Sequence, residues 1–341
     1  MKLRKGHFTG FFATVLVFGI VFLYIYINTM EIGKLYNIKE TSKVKLGRNI
    51  YTAIFNDKED YIAYINYSGV LKLAKTDTPK EVLYTQKDIN SVYFYKDLLV
   101  ITDKTGKAYS YNIKDGSITN YTIDCFNKYV FVMEGNIYAL ESGSITRVSL
   151  VGDENRKEYK INALYNSFED IYKGEDYISV FTKDCAYIYE YPDFKEKKVE
   201  IKDYASKGIM SKNQIGERLV VYLNSKGEAV IKNGEHYKTL KDLPNPHSLY
   251  LSEKLGLILV ADNKKAISYD ELGEIEWEKD MLSDSMVMSN KGEMFIDIHK
   301  KSQAAAYEVL SGAEKFSLDN LQKATFSQSD NLIFGIEKSA Y

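Results

Sequence analysis

Proline, histidine, cysteine and tryptophan are all scarce in this chain of 341 residues, which holds four, four, two and one of them respectively. Cys125 and Cys185 stand 60 residues apart, so the C-x-x-C clusters that hold zinc or carry redox chemistry are absent. The histidines are His7, His236, His247 and His299, and no two lie within ten residues of each other. H-E-x-x-H and D-x-D-x-D-G spacings are missing, and each glycine stands singly at a turn rather than in a phosphate-cradling loop. No catalytic residue, metal ligand or cofactor-binding residue follows from these patterns. Arginine is rare too, with five against 40 lysines, a bias that fits an AT-rich genome better than a phosphate-binding surface.

Charge excludes a further class. Lys2, Arg4 and Lys5 precede the first acid, Glu31, so residues 31–341 carry 42 basic and 47 acidic groups. A mildly acidic body with both signs interspersed has no electrostatic footprint for nucleic acid. What the chain has in abundance is tyrosine (29) and phenylalanine (16), with Ile, Val and Thr throughout. That mixture suits half-buried pleated surfaces, so strands are expected.

From Gly10 to Ile27 the chain reads GFFATVLVFGIVFLYIYI, without a charge. At 1.5 Å per residue this reaches about 27 Å, and Phe8 and Thr9 extend it toward the roughly 30 Å of a hydrocarbon core. Tyr24 and Tyr26 sit where interfacial rings are favoured, and the basic residues flank the other end. The run exceeds a secretory h-region, and Asn28-Thr29-Met30-Glu31 offers no A-x-A-like cleavage site. The expectation is a cytoplasmic tail (1–7), an uncleaved membrane helix (8–28) and an extracytoplasmic domain (31–341) outside a bacterial-type membrane.

That domain is periodic. Tight turns recur at Lys39-Glu40-Thr41, Asp77-Thr78-Pro79, Lys114-Asp115-Gly116, Glu141-Ser142-Gly143, Pro192-Asp193-Phe194, Asn233-Gly234, Glu271-Leu272-Gly273 and Leu310-Ser311-Gly312, about 39 residues apart on average. Each step holds four short strands, as in 91–95, 98–102, 107–113 and 117–123. Four-stranded units that cannot bury their faces alone imply an all-β propeller whose blades stack around an axis. A many-stranded sandwich is the structural alternative. Residues 324–329 and 331–336 read as the first two strands of a blade, and 33–39 and 43–47 as the last two. Pairing them closes an eighth blade and removes exposed edges. Seven blades with 31–47 as a linker is the other possibility.

Ala306, Glu308, Ser311, Gly312 and Phe316 match the spacing of A-x-D-x-x-T-G-x-x-x-W, and Gly273 and Trp277 repeat its second half. Tyr269 and Leu272 depart from it at the Asp and Thr positions. On these residues the second half resembles quinoprotein-like (PQQ-like, WD40-like) repeats. The whole chain resembles small membrane-anchored propellers of uncharacterised type from low-GC Gram-positive bacteria. The resemblance implies a fold rather than a chemistry. Quinone-dependent members carry an adjacent cysteine pair and metal-binding acids, whereas Cys125 and Cys185 here lie 60 residues apart, so no cofactor is implied.

Candidate residues are accordingly few. His247 follows Leu243-Pro-Asn-Pro246 and reads as a surface loop residue, and His236 and His299 as solvated. Asp57-Lys-Glu-Asp60 and Ser327-Gln-Ser-Asp330 read as hairpin turns rather than calcium loops. Cys125 and Cys185 occupy different places in the repeat and read as two separate buried thiols. The Tyr-rich strands 61–67 and 187–191 read as inter-blade packing rather than a ligand platform. Function is expected to be that of an interaction or ligand-binding scaffold, its partner an envelope protein or a cell-wall polymer and its other contact the membrane through residues 8–28. The alternative is a polysaccharide hydrolase or lyase with carboxylates in the central funnel.

Overall fold

A computed structural model describes Phe18, Ile20, residues 31–37 and residues 42–338, apart from 152–155, 165–169, 175, 213–217, 282, 300–303, 319–320 and 328–329. The tail 1–7 and the expected membrane helix 8–28 therefore lie outside the described residues, except for Phe18 and Ile20, which are helical and exposed. Among the described residues no helix is long and apolar enough to cross a membrane.

The described strands form eight four-stranded antiparallel sheets. Blades 1 to 7 span 50–86, 89–121, 129–160, 171–200, 204–240, 248–280 and 285–317. Blade 8 combines Leu321–Phe326 and Leu332–Lys338 with Glu31–Asn37 and Ser42–Arg48. The expected terminal pairing is thus present, with Glu31–Asn37 lying antiparallel to Leu332–Lys338 and then to Ser42–Arg48. Glu31–Asn37 and Ser42–Arg48 are strands of a blade, not linker, which removes the seven-blade alternative.

Eight buried clusters, each drawn from two neighbouring blades, close the ring. Leu71 meets Leu99, Val100 meets Ile137, Tyr138 meets Tyr189, and Ile188 meets Val220 in the first four interfaces. Ile231 with Ile258, Leu259 with Phe295, Ile296 with Ile333, and Phe334 with Ile62 complete the circle. Central strands of each blade are covered on both faces, which is why they read as apolar runs such as Leu257–Ala261, LILVA. Outer strands read as charged edges, as in Lys195–Glu200, KEKKVE, where pairing with a foreign strand is discouraged.

A repeated hydrogen bond joins consecutive blades. The turn between the second and third strands offers a carbonyl, and an apolar residue leading into the next blade donates its N–H. Ile89 donates to Gly69 (3.0 Å), Cys125 to Gly106 (2.8 Å), Ile161 to Gly143 (3.0 Å), Ile201 to Asp184 (3.0 Å), Met281 to Lys264 (2.8 Å) and Leu318 to Ala304 (2.7 Å). All six donors are buried. The device fixes the step from blade to blade and plugs each turn with an apolar side chain.

One expected turn differs in kind. Glu141-Ser142-Gly143 joins the second and third strands of blade 3, whereas the other described turns of the series join third and fourth strands. The equivalent connection in blade 3 runs between Ser144–Ser149 and Lys157–Lys160, midway between Asp115 and Asp193, so the series of turns aligns two turn types.

Candidate functional site

Three places concentrate polar chemistry. The first is the axial channel, walled by the inner strands Ile50–Phe55, Ile89–Tyr95, Tyr129–Met133, Ile171–Lys173, Tyr204–Lys212, Ser248–Ser252, Ser285–Met288 and Leu321–Phe326. None contains Asp or Glu, and together they hold four lysines, Lys173, Lys207, Lys212 and Lys323. A glycosidase needs two carboxylates flanking the scissile bond, and these strands supply none. Tyrosine hydroxyls instead tie blade to blade. Tyr93 donates to the Val130 carbonyl (2.6 Å), Tyr177 to Met210 (2.5 Å) and Tyr250 to Met286. The reading of tyrosine as inter-blade packing holds for these and for Tyr138, Tyr189, Tyr222 and Tyr269, all fully buried. Tyr67 departs from it, with 54% of its surface exposed.

The second place is a cleft of about 1210 Å³ between blades 4 and 5. Lys197, Lys198, Lys202, Arg218 and Lys232 line it together with Asp176, Asp184, Glu190, Glu200 and Glu235. Glu190 is held between Lys197 at 2.6 Å and Arg218 at 2.5 Å. The Lys197 ammonium, with Arg218 beside it, keeps the Glu190 carboxyl below the usual range against a smaller desolvation cost. The Arg218 guanidinium also lies 4.5 Å above the ring of Tyr177, crossing from blade 5 to blade 4. Tyr237 carries Lys202 and Lys232 at 4.9 Å from its ring and donates its hydroxyl to the Glu200 carbonyl at 2.8 Å. Aromatic rings and ion pairs thus preset the cationic groups of the wall, at little further ordering cost to a charged partner.

The third lies between blades 6 and 7, where the structure corrects the expectation for two histidines. His247 is half-buried, its Nδ1 2.7 Å from the Ser248 hydroxyl and its Nε2 3.2 Å from the Ser283 carbonyl. A carbonyl only accepts, so Nε2 carries a proton toward Ser283, and Nδ1 faces the Ser248 hydroxyl. His299 is not freely solvated either, since its Nδ1 is 3.1 Å from Asp284 Oδ2. His236 is exposed, as expected. Asp297 lies nearby with 7% exposure, and among the described residues its Oδ1 has no hydrogen-bond partner. Burial pushes its carboxyl above the usual range, while the Ser283 hydroxyl and the charges of His299 and His247 pull the other way. Sequence spacing hid this cluster because its members come from two blades.

The remaining candidates are structural. Asn56 and Asp60 cap an ordinary hairpin through an Asn56 Nδ2 bond to Asp60 Oδ1 at 2.5 Å. Asp330 accepts the backbone N–H groups of Asn290 (2.9 Å) and Lys291 (3.1 Å), bracing blade 8 on blade 7. Cys125 and Cys185 are buried and free. Cys125 occupies the apolar plug position that Ile, Met or Leu fills elsewhere, and burial pushes its thiol up to about 12. Among the described residues no group of three or more His, Cys, Asp or Glu is arranged to hold a metal ion.

The fold and these sites define a β-propeller of four-stranded blades, with almost no helix among the described residues. Solved structures agree on that class. The C-terminal WD40 domain of Sif2 aligns with a TM-score of 0.59 at 10% identity, covering 86% of this chain and 96% of that one. Dihydro-heme d1 dehydrogenase NirN in complex with DHE aligns at 0.60 and 10%, covering 85% and 73%. BamB from Moraxella catarrhalis aligns at 0.51 and 10%, covering 84% and 99%. At such identities the likeness is one of fold. No protein-family model matches the chain, and no curated protein matches its sequence.

Proposed function

We propose that this chain is a scaffold anchored through residues 8–28, with its propeller outside the membrane, and that it holds another envelope protein at its rim. Propellers display many adjacent binding positions on a rigid ring, and WD40-like and BamB-like neighbours are consistent with a protein-interaction role. The observation that carries the reading is the cleft between blades 4 and 5. It is open at the rim, dense in both charge signs, and flanked by the edge strand Lys195–Glu200. A partner segment with complementary alternating charges fits it, and steering by those charges favours specificity over raw affinity. The channel strands, free of Asp and Glu, lend no support to the hydrolase or lyase alternative.

The test is crosslinking in intact cells followed by mass spectrometry, on the native chain and on Lys198→Glu/Lys202→Glu. Both lysines are exposed, so the variant should fold. A recurrent envelope protein recovered with the native chain and lost with the variant supports the proposal. Recovery of the propeller alone, or of the same partner with both, overturns it. Protease accessibility in spheroplasts tests the topology separately, with digestion of the propeller from outside as the expected result.

A further inference from the structure

A second surface feature lies at the axial mouth, across the junction of blades 8, 1 and 2. The inner strands of these blades each carry a β-bulge near their start, between Leu321 and Lys323, Ile50 and Thr52, and Ile89 and Ser91. A bulge leaves one residue outside the ladder and re-aims its side chain. The residues set free are Gln322, Tyr51 and Asn90.

Two of them line one pocket of about 210 Å³, together with Asn66, Tyr67, Gly69 and Lys104 over a floor of Ile65 and Ile89. Tyr51 and Tyr67 meet edge to face, with centroids 5.6 Å apart and planes at 62°. They remain 50% and 54% exposed, so this aromatic pair is not buried in blade packing as its counterparts are. Lys323 Nζ sits 4.8 Å from the Tyr51 ring centroid. Gly69, at φ +74°, leaves room that the end of the Lys104 side chain fills, the Nζ lying 2.9 Å from where a Cβ would be. Asn66 has its side-chain carbonyl engaged by the Val70 N–H at 2.8 Å, which fixes that amide in orientation. Among the described residues no carboxylate lines the pocket.

Exposed tyrosine faces, side-chain amides of which Asn66 is held in orientation, and ammonium groups without a competing acid in the described lining are the groups that recognise a sugar ring bearing a negative charge. The C–H face of the ring packs on tyrosine, the hydroxyls bond the amides, and the acid meets the lysines. A ring fits 210 Å³ where a folded segment does not. We propose that this pocket binds one acidic sugar residue of an anionic polysaccharide. The site is separate from the cleft between blades 4 and 5, and it stands whether or not that cleft holds a protein.

The experiment is calorimetric titration of the full chain in detergent with galacturonic acid, trigalacturonate, a neutral galactose trimer and poly-glutamate, each at low and at high salt. Trigalacturonate should bind, and high salt should weaken it. Tyr51→Ala and Tyr67→Ala should each lower that affinity by about tenfold or more, and Lys104→Met by several-fold, with unchanged melting curves. Binding of the monomer as tightly as the trimer assigns the pocket to a free acidic sugar rather than a polymer and overturns the polysaccharide part of the proposal. Equal binding of the neutral trimer, binding of poly-glutamate alone, no binding of any probe, or an unchanged affinity in Tyr51→Ala overturns the site.

Discussion

Leu35 lies opposite Phe334 in the antiparallel pairing that completes blade 8, so residues from opposite regions of the chain share one sheet. Phe334 is buried against Ile62 and Tyr64 of blade 1, in the last interface of the ring. Deleting residues 31–48 removes two strands and leaves Leu332–Lys338 as an open edge beside that core. Melting temperature should fall by about 10 °C or more, since each kcal/mol lost is worth roughly 2 °C in a chain of this size. The exposed edge should also raise the fraction that elutes as aggregate. A melting curve unchanged by the deletion would refute the closure.

Gly106 and Gly143 make a controlled comparison of the hydrogen bond between blades. Both adopt positive φ, +87° and +89°, so an alanine at either carries the left-handed strain of about 1 kcal/mol. At Gly143 a Cβ meets nothing within 4 Å among the described residues, whereas at Gly106 it falls 2.6 Å from the Phe126 backbone nitrogen. The Gly106 carbonyl also accepts the Cys125 N–H. Gly143→Ala should therefore cost about 1 kcal/mol and Gly106→Ala roughly 3 kcal/mol, because the chain entering blade 3 must be pushed away. Urea denaturation with equal m-values decides it, and equal losses would mean the contact is easily relieved.

These glycines also mark how far the sequence can be read. Period and strand count were legible because Gly-centred turns punctuate apolar runs, and the termini were legible because each half of blade 8 repeats a known half of another blade. The Glu141-Ser142-Gly143 turn was misplaced because second-to-third and third-to-fourth strand turns use the same residues. The sites were opaque for a different reason. Glu190 and Arg218, or His247 and Asp297, meet only when neighbouring blades pack, and no local spacing encodes that. Tyr51 could not be told from packing tyrosines because a bulge is a property of register, not of composition.

Cys125 gives a direct measure of packing at the plug position. Its side chain is buried, and desolvation raises the thiol to about 12, with Asp124 adding to the effect. The thiolate is the reactive form, so alkylation at pH 8 in the native state should proceed only through opening of the blade 2–3 interface. Labelling with iodoacetamide, followed by peptide mapping, should show Cys125 protected until denaturant is added. Modification within minutes under native conditions would place Cys125 at a loose seam instead.

Asp297 makes the stability of the blade 6–7 interface depend on pH with a definite sign. Its folded-state carboxyl titrates above the ordinary value because burial penalises the charge, with one oxygen left unpartnered. A raised carboxyl favours the folded state while it is protonated, and the advantage is lost as pH rises through the folded-state value. At neutral pH the ionised Asp297 is thus a cost, offset in part by the Ser283 hydroxyl. Asp297→Asn keeps the shape and removes the ionisation, so it should stabilise the fold at pH 7.5. That gain should shrink as pH falls through the folded-state value, below which the native side chain is protonated as well. Denaturant midpoints measured from pH 4 to pH 8 on both chains give the difference directly. A variant that is equally destabilised at every pH would show that the carboxylate has a partner worth more than its desolvation, and that the interface needs the charge.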